Sequence, residues 1–98
     1  MEEFGIDWVQ EGWNMRTCYI TFRSVTYAQR GEAALSAAGI RSTLQRARSW
    51  MRERGCGYCL RLREDQLPRA VEALDRASVS RGRVWLQEEN GDAEEWRP

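Results

Sequence analysis

Residues 15–23 read MRTCYITFR, and their strict alternation of residue types decides the fold class. Cys18, Ile20 and Phe22 fall on one face of an extended chain, and Tyr19 begins the opposite face. Because one face is apolar and the other mixed, the stretch predicts a β-strand that lies over a core. The rest of the chain adds three more such strands and two helices.

Two segments between the predicted strands have helical periodicity. Residues 26–39 place apolar side chains three and four positions apart, and Gly39 suits the left-handed residue that ends a helix. Gly31 lies inside this helix, where a glycine costs about 1 kcal/mol relative to alanine, so we expect a close helix–sheet approach there. Residues 65–77 repeat the helical pattern.

Three further segments alternate as strands do, namely residues 40–46, 57–63 and 82–87. The order is therefore strand, helix, strand, strand, helix, strand, which is the split βαβ arrangement. We predict an α+β, ferredoxin-like βαββαβ fold, with a four-stranded antiparallel sheet, two helices on one face and the other face open. Right-handed crossovers place the first and third strands in the centre.

The composition fits one small globular domain, with 98 residues of which 42% are apolar. No apolar run approaches the roughly 18–20 residues that cross a bilayer, and the acidic start lacks the features of a signal peptide. The cysteine count of three is odd, which excludes a complete disulfide framework within one chain. We therefore expect a cytoplasmic protein with no membrane association.

The formal net charge is zero, but the charges are unevenly distributed. Residues 1–14 carry four acids and no base, residues 88–98 carry five acids and one arginine, and residues 15–87 carry fourteen arginines and six acids. We interpret these parts as an acidic aromatic N-terminal arm, an acidic C-terminal tail and a basic folded domain between them. All basic residues are arginine, which fits a GC-rich genome or the binding of anions by guanidinium groups.

The stretch GCGYC at residues 55–59 contains two cysteines and admits three chemical interpretations. A thioredoxin-type pair of Cys56 and Cys59 needs a helix, but a strand follows, in which Cα atoms three residues apart lie roughly 10 Å from each other. A zinc site needs four ligands, whereas the chain has three cysteines and no histidine, so we predict no metal unless a dimer shares one. The third interpretation is a single reactive thiol.

Cys56 has the setting that a single reactive thiol requires. It lies between two glycines at a predicted junction of loop and strand, after Arg48, Arg52 and Arg54, whose charges favour a thiolate. The alternative is that Cys56 is a small buried side chain that only fills space.

Three features of the chain together resemble a known family: YITFRSVTYA at residues 19–28, Arg48, and the pair Cys56 and Gly57. The family is the putative selenium/sulfur carrier-like domain family, a small bacterial family, and the resemblance covers roughly residues 18–87. It implies a carrier that holds sulfur or selenium on Cys56 as a persulfide or selenide.

The same resemblance implies supporting roles for Gly57 and Arg48, and a donor enzyme and an acceptor protein as partners. Cys59 departs from the family pattern, in which a small residue is frequent at this position. The acidic segments at both ends of the chain lie outside the pattern.

The second sheet face is predicted to present arginines and aromatic residues, namely Tyr19, Arg61, Arg63, Arg83 and Trp85. Some βαββαβ domains hold single-stranded RNA on such a face, but the paired aromatics that mark them are absent here, which disfavours nucleic acid. A solvated face, a homodimer, a small anion and a protein partner remain. The alternative function is therefore a non-catalytic interaction module that dimerises or docks a partner through this face.

An independent enzyme is the class that the sequence supports least. The chain has no histidine, no phosphate-binding loop and no pair of carboxylates on one predicted element face. We therefore expect a carrier or binding module and predict neither a catalytic residue nor a cofactor.

Overall fold

The computed structural model describes residues 16–52 and 57–97, which form one antiparallel sheet and two helices. Neither described helix has both the length and the apolar character needed to cross a bilayer. The elements in chain order are β1 (Thr17–Phe22), α1 (Val25–Ala37), β2 (Thr43–Arg46), β3 (Tyr58–Arg63), α2 (Leu67–Arg76), β4 (Val84–Gln87) and β5 (Ala93–Trp96).

The strand order is β2-β3-β1-β4-β5, and every neighbouring pair is antiparallel. Cys18 of β1 lies opposite Leu62 of β3 and Leu86 of β4, so three adjacent strands direct apolar side chains to the same face. The predicted α+β class, with two helices and an antiparallel sheet, is confirmed. The predicted number of four strands is wrong, because the sheet has five.

The fifth strand lies in the segment that was predicted to be an acidic tail. A turn joins it to β4, in which the backbone N–H of Glu88 donates to the carbonyl of Asp92 at 2.7 Å. Trp96 lies opposite Val84 and packs against the main core. One partly buried aromatic side chain therefore anchors an otherwise acidic strand to the core.

The main core fills the space between the sheet and the two helices. Phe22, Leu35, Leu60 and Leu74 are fully buried in it. A Cβ atom added to Gly31 of α1 would lie 2.8 Å from Cζ of Phe22, which is closer than atoms pack. The close helix–sheet approach predicted at Gly31 is therefore confirmed, and it explains a glycine inside a helix.

Both helices end in the same hydrogen-bonded motif. At the end of α1, Gly39 has a φ of 79°, and the N–H of Ile40 donates to the carbonyl of Leu35 at 2.8 Å. This Schellman motif turns the chain back and buries Ile40 against the core. At the end of α2, the left-handed position is occupied by Ser78, with a φ of 58°.

Candidate functional site: the loop between β2 and β3

The loop that contains Cys56 in the sequence leaves and rejoins the sheet at one backbone pair. The N–H of Ala47 donates to the carbonyl of Gly57 at 2.9 Å, directly after the pairing of Arg46 with Tyr58. The loop is therefore residues 48–56, closed at its base by the β2–β3 ladder. Cys56 and Arg54 lie outside the described residues.

The first half of this loop folds over the second face of the sheet. Residues Ser49–Met51 form a short 3-10 turn, and the side chain of Met51 is 1% exposed. It belongs to a second apolar cluster, which we call the loop-side cluster and which consists of Tyr19, Ala47, Met51 and Cys59, with Trp85 packed against them.

Trp50 covers the aromatic side chains of the loop-side cluster. Its ring lies edge-on to Tyr19, with centroids 6.2 Å apart, and edge-on to Trp85, with centroids 5.5 Å apart. Tyr19 is only 3% exposed as a result. The prediction that this face is left open is therefore wrong over Tyr19, because the loop supplies two large side chains that cover it.

The predicted arginines occupy two different settings. In the loop, the guanidinium of Arg48 lies 5.8 Å from the centre of the Tyr19 ring, and Nε of Arg52 donates to the carbonyl of Ala47 at 3.1 Å. Both side chains therefore make contacts that hold the loop against the sheet, while their charged groups stay at the surface. The three arginines predicted on the sheet face are exposed, namely Arg61, Arg63 and Arg83.

The two thiols that the structure describes are both buried. Cys59 is 0% exposed in the loop-side cluster, and Cys18 is 0% exposed in the main core. Burial, with a smaller contribution from the charge of Glu64, raises the pKa of Cys18 to about 12. Cys18 is therefore a neutral thiol at physiological pH, and its predicted place on the core face of β1 is confirmed.

A family model with the description "Putative Se/S carrier protein-like" matches residues 17–85. The chain belongs to this family. The match runs from the start of β1 into β4 and includes all three cysteines, whereas β5 lies outside it. No curated protein and no solved structure matches the chain.

The matched segment includes the loop, but its described side chains provide no set of ligands for a metal ion. Within residues 16–52 and 57–97, no three His, Cys, Asp or Glu side chains lie close enough together to hold an ion. The expectation that the chain has no metal site, unless a dimer shares one, stays a prediction.

One charged cluster was missed by the sequence reasoning. Arg16 donates to Glu64 from Nη2 at 2.7 Å and from Nε at 3.2 Å, and its Nη1 reaches Glu94 of β5 at 3.3 Å. The side-chain hydrogen bonds from Arg16 to Glu64 hold the pKa of Glu64 below its usual range. The partners lie 48 and 78 positions apart in the chain, so no local pattern could have indicated the contact.

Proposed function

We propose that the protein carries a sulfur or selenium atom on Cys56, as a persulfide or its selenium analogue. The observation that carries the proposal is the family match over residues 17–85, which includes Cys56. The burial of Cys18 and Cys59 supports it, because a carrier thiol must meet its donor and acceptor and neither of these two is accessible.

The proposed reaction is an exchange at the outer atom of a donor persulfide. The Cys56 thiolate attacks the terminal sulfur of the donor, a new S–S bond forms, and the bond between that sulfur and the donor's cysteine breaks. The donor leaves as a thiolate and takes up the proton that Cys56 lost. An acceptor nucleophile then attacks the same terminal sulfur and releases Cys56, so no external oxidant or reductant is needed.

The described half of the loop fits this role by its charge and by its anchoring. Arg48 and Arg52 bring positive charge to the segment before Cys56, and Arg54 adds a third charge in the sequence. Positive charge lowers the pKa of a nearby thiol and so favours its thiolate. The buried Met51 and the bond from Ala47 to Gly57 fix both sides of the segment that has to present the thiol.

The decisive experiment is mass spectrometry of the full chain after incubation with a cysteine desulfurase and cysteine. We expect a mass gain of one sulfur atom, mapped to Cys56 by peptide analysis and removed by a thiol reductant. Cys56→Ser should abolish the gain, and the matched variant Cys59→Ala should keep it. No gain under conditions that load a known carrier would overturn the proposal.

The thioredoxin-type alternative makes a different prediction in the same experiment. A working dithiol would require Cys59 to attack the persulfide on Cys56, so Cys59→Ala would make the loaded species accumulate. Because Cys59 is fully buried among Tyr19, Met51 and Ala47, we expect the loaded fraction to be the same with and without it.

The interaction-module alternative has less support than the carrier. This alternative predicts that aromatic and arginine side chains of the second sheet face form the docking surface. In the structure, Trp50 and Met51 pack over the aromatic side chains of that face. The remaining exposed arginines, Arg61, Arg63 and Arg83, would have to bind a partner or a second copy alone. If Cys56→Ser left function intact while Arg61→Gln abolished assembly, this alternative would replace the carrier.

We also propose a ferredoxin-like core and a reducing, cytoplasmic setting. The order β2-β3-β1-β4 with both helices on one face supports the first, and β5 is then an added edge strand. The odd number of cysteines, three, supports the second, because it excludes a complete disulfide framework within one chain and cysteines stay reduced in that compartment.

A further inference from the structure

A groove of about 540 Å³ opens where β2 and β3 separate. Their pairing begins at Thr43 and Arg61, so residues 41 and 42 diverge from Leu62 and Arg63. The groove lies between them and is lined among others by Arg16, Arg41, Ser42, Thr43, Arg61 and Arg63. It lies at the opposite end of the β2–β3 ladder from the loop, three residues or roughly 10 Å away.

The groove carries an excess of positive charge. Two of its four arginines are neutralised, because Arg16 is bound to Glu64 and Arg63 lies 3.0 Å from Asp65. Arg41 and Arg61 are exposed, and within the described parts of the chain neither has an acidic partner. The guanidinium groups of Arg41, just before β2, and of Arg61 in β3 therefore lie at one site with no counter-charge from the described residues.

The Ser42 hydroxyl is a second and independent indication of a ligand. Its oxygen is buried, and among the described residues it has no hydrogen-bond partner. A buried hydroxyl without a partner costs about 1–3 kcal/mol, so folded proteins seldom keep one without a use. The Ser42 hydroxyl would donate a hydrogen bond to a ligand oxygen in the groove.

We propose that this groove binds the phosphate group of a small phosphorylated molecule. Arg41, Arg61 and Ser42 offer three donor groups, which match the three terminal oxygens of a phosphate monoester better than the two of a carboxylate. The volume lies within the range of about 300–1,000 Å³ that small-molecule sites occupy, so the groove has room for more than the phosphate. This site is separate from Cys56 and independent of the carrier proposal.

The test is a titration of the isotope-labelled full chain with inorganic phosphate and with adenosine monophosphate, followed by NMR at low ionic strength with chloride as the reference anion. We expect saturable shifts of the amides of Gly39, Ser42 and Thr43. Tighter binding of the monophosphate identifies an ester as the ligand, and equal binding identifies the free ion. Both results support the site.

Charge-matched variants separate a built site from general attraction. Arg41→Gln and Arg61→Gln should each weaken binding about tenfold, which corresponds to one lost charge-assisted hydrogen bond. Arg97→Gln removes the same charge beside β5 at the opposite edge of the sheet and should leave the affinity unchanged. Equal weakening by all three variants would overturn the proposal.

Ser42→Ala provides a readout that a structural role would not give. Binding should weaken about tenfold, the effect of one hydrogen bond to a charged acceptor, while the melting temperature stays constant or rises because an unpartnered hydroxyl is removed. Loss of stability with unchanged affinity would show that Ser42 serves the fold alone. Tighter binding of an acidic peptide than of either phosphate probe would assign the groove to a protein partner and also overturn the proposal.

Discussion

The indole ring of Trp50 meets that of Trp85 edge-on, with ring centroids 5.5 Å apart, and this contact joins the loop before Cys56 to the centre of the second sheet face. Trp50 is nevertheless 41% exposed, so its inner edge alone makes the contact. In its described half the loop is therefore held by the buried side chain of Met51 and the half-exposed ring of Trp50, in addition to the contacts of Arg48 and Arg52.

Replacement of Trp50 should loosen the loop while the main core stays intact. We expect Trp50→Ala to lower the free energy of unfolding by about 1–2 kcal/mol, from lost apolar burial and two aromatic edge contacts. Hydrogen exchange of the buried Trp85 indole N–H, followed by NMR, should accelerate. Val25→Ala removes another exposed apolar side chain far from this face and should leave that exchange unchanged. Equal exchange rates in both variants would contradict the covering role of Trp50.

The burial of two thiols predicts the kinetics of thiol modification. With a chromogenic thiol reagent at neutral pH, Cys18 and Cys59 should react only as fast as the protein unfolds, because both are 0% exposed. Denaturant should therefore strongly accelerate the reaction of the thiol reagent with two of the three cysteines, Cys18 and Cys59. Under the carrier proposal Cys56 supplies a single fast phase, and Cys56→Ser should remove that phase alone. A fast phase that persists in Cys56→Ser would show that one of the buried thiols is accessible.

The sequence predicted those features that depend on local pattern. Alternation placed Cys18 on the core face and Tyr19 on the other, and the structure confirms each side. Gly39 was predicted to end the first helix and Gly31 to allow a close contact, because each requires a glycine for a local steric reason.

The features that the sequence did not predict depend on distant partners. The segment Ala93–Trp96 contains two acids, so it has no apolar alternation, and it forms a strand because β4 offers an edge and Trp96 reaches the core. The sequence did not predict that the loop covers Tyr19, because the local sequence of a loop does not determine which surface the loop packs against. Large apolar side chains at 50 and 51, beside a face that carries Tyr19, Cys59 and Trp85, were the available signal.

The two Schellman motifs provide a matched pair of substitutions. Ser78 has a φ of 58°, a conformation that costs a residue with a Cβ atom about 1–2 kcal/mol, whereas Gly39 has a φ of 79° without that cost. Ser78→Gly should therefore raise the free energy of unfolding by about 0.5–1 kcal/mol, after the larger chain entropy of glycine is subtracted. Gly39→Ala should lower it by about 0.5–1 kcal/mol, because no described atom lies within 4 Å of the added Cβ and the lower chain entropy of alanine offsets only part of the backbone cost. Chemical denaturation measures both, and changes of the same sign would contradict this account.

The Arg16–Glu64 pair predicts how stability depends on pH. The pKa of Glu64 is depressed in the folded protein, so its contribution is fully present above the ordinary value of 4.5 and is lost as the pH falls through the folded-state pKa. We expect Glu64→Gln to cost about 1–2 kcal/mol at neutral pH, because the two side chains are only 24% and 29% exposed. Below pH 4.5 the difference from the unsubstituted protein should shrink toward zero. Glu72→Gln breaks the exposed pair with Arg76 and should cost less than about 0.5 kcal/mol. Urea unfolding between pH 3 and pH 7 measures these values, and a Glu64→Gln deficit that stays constant over this range would show that the ion pair is not its cause.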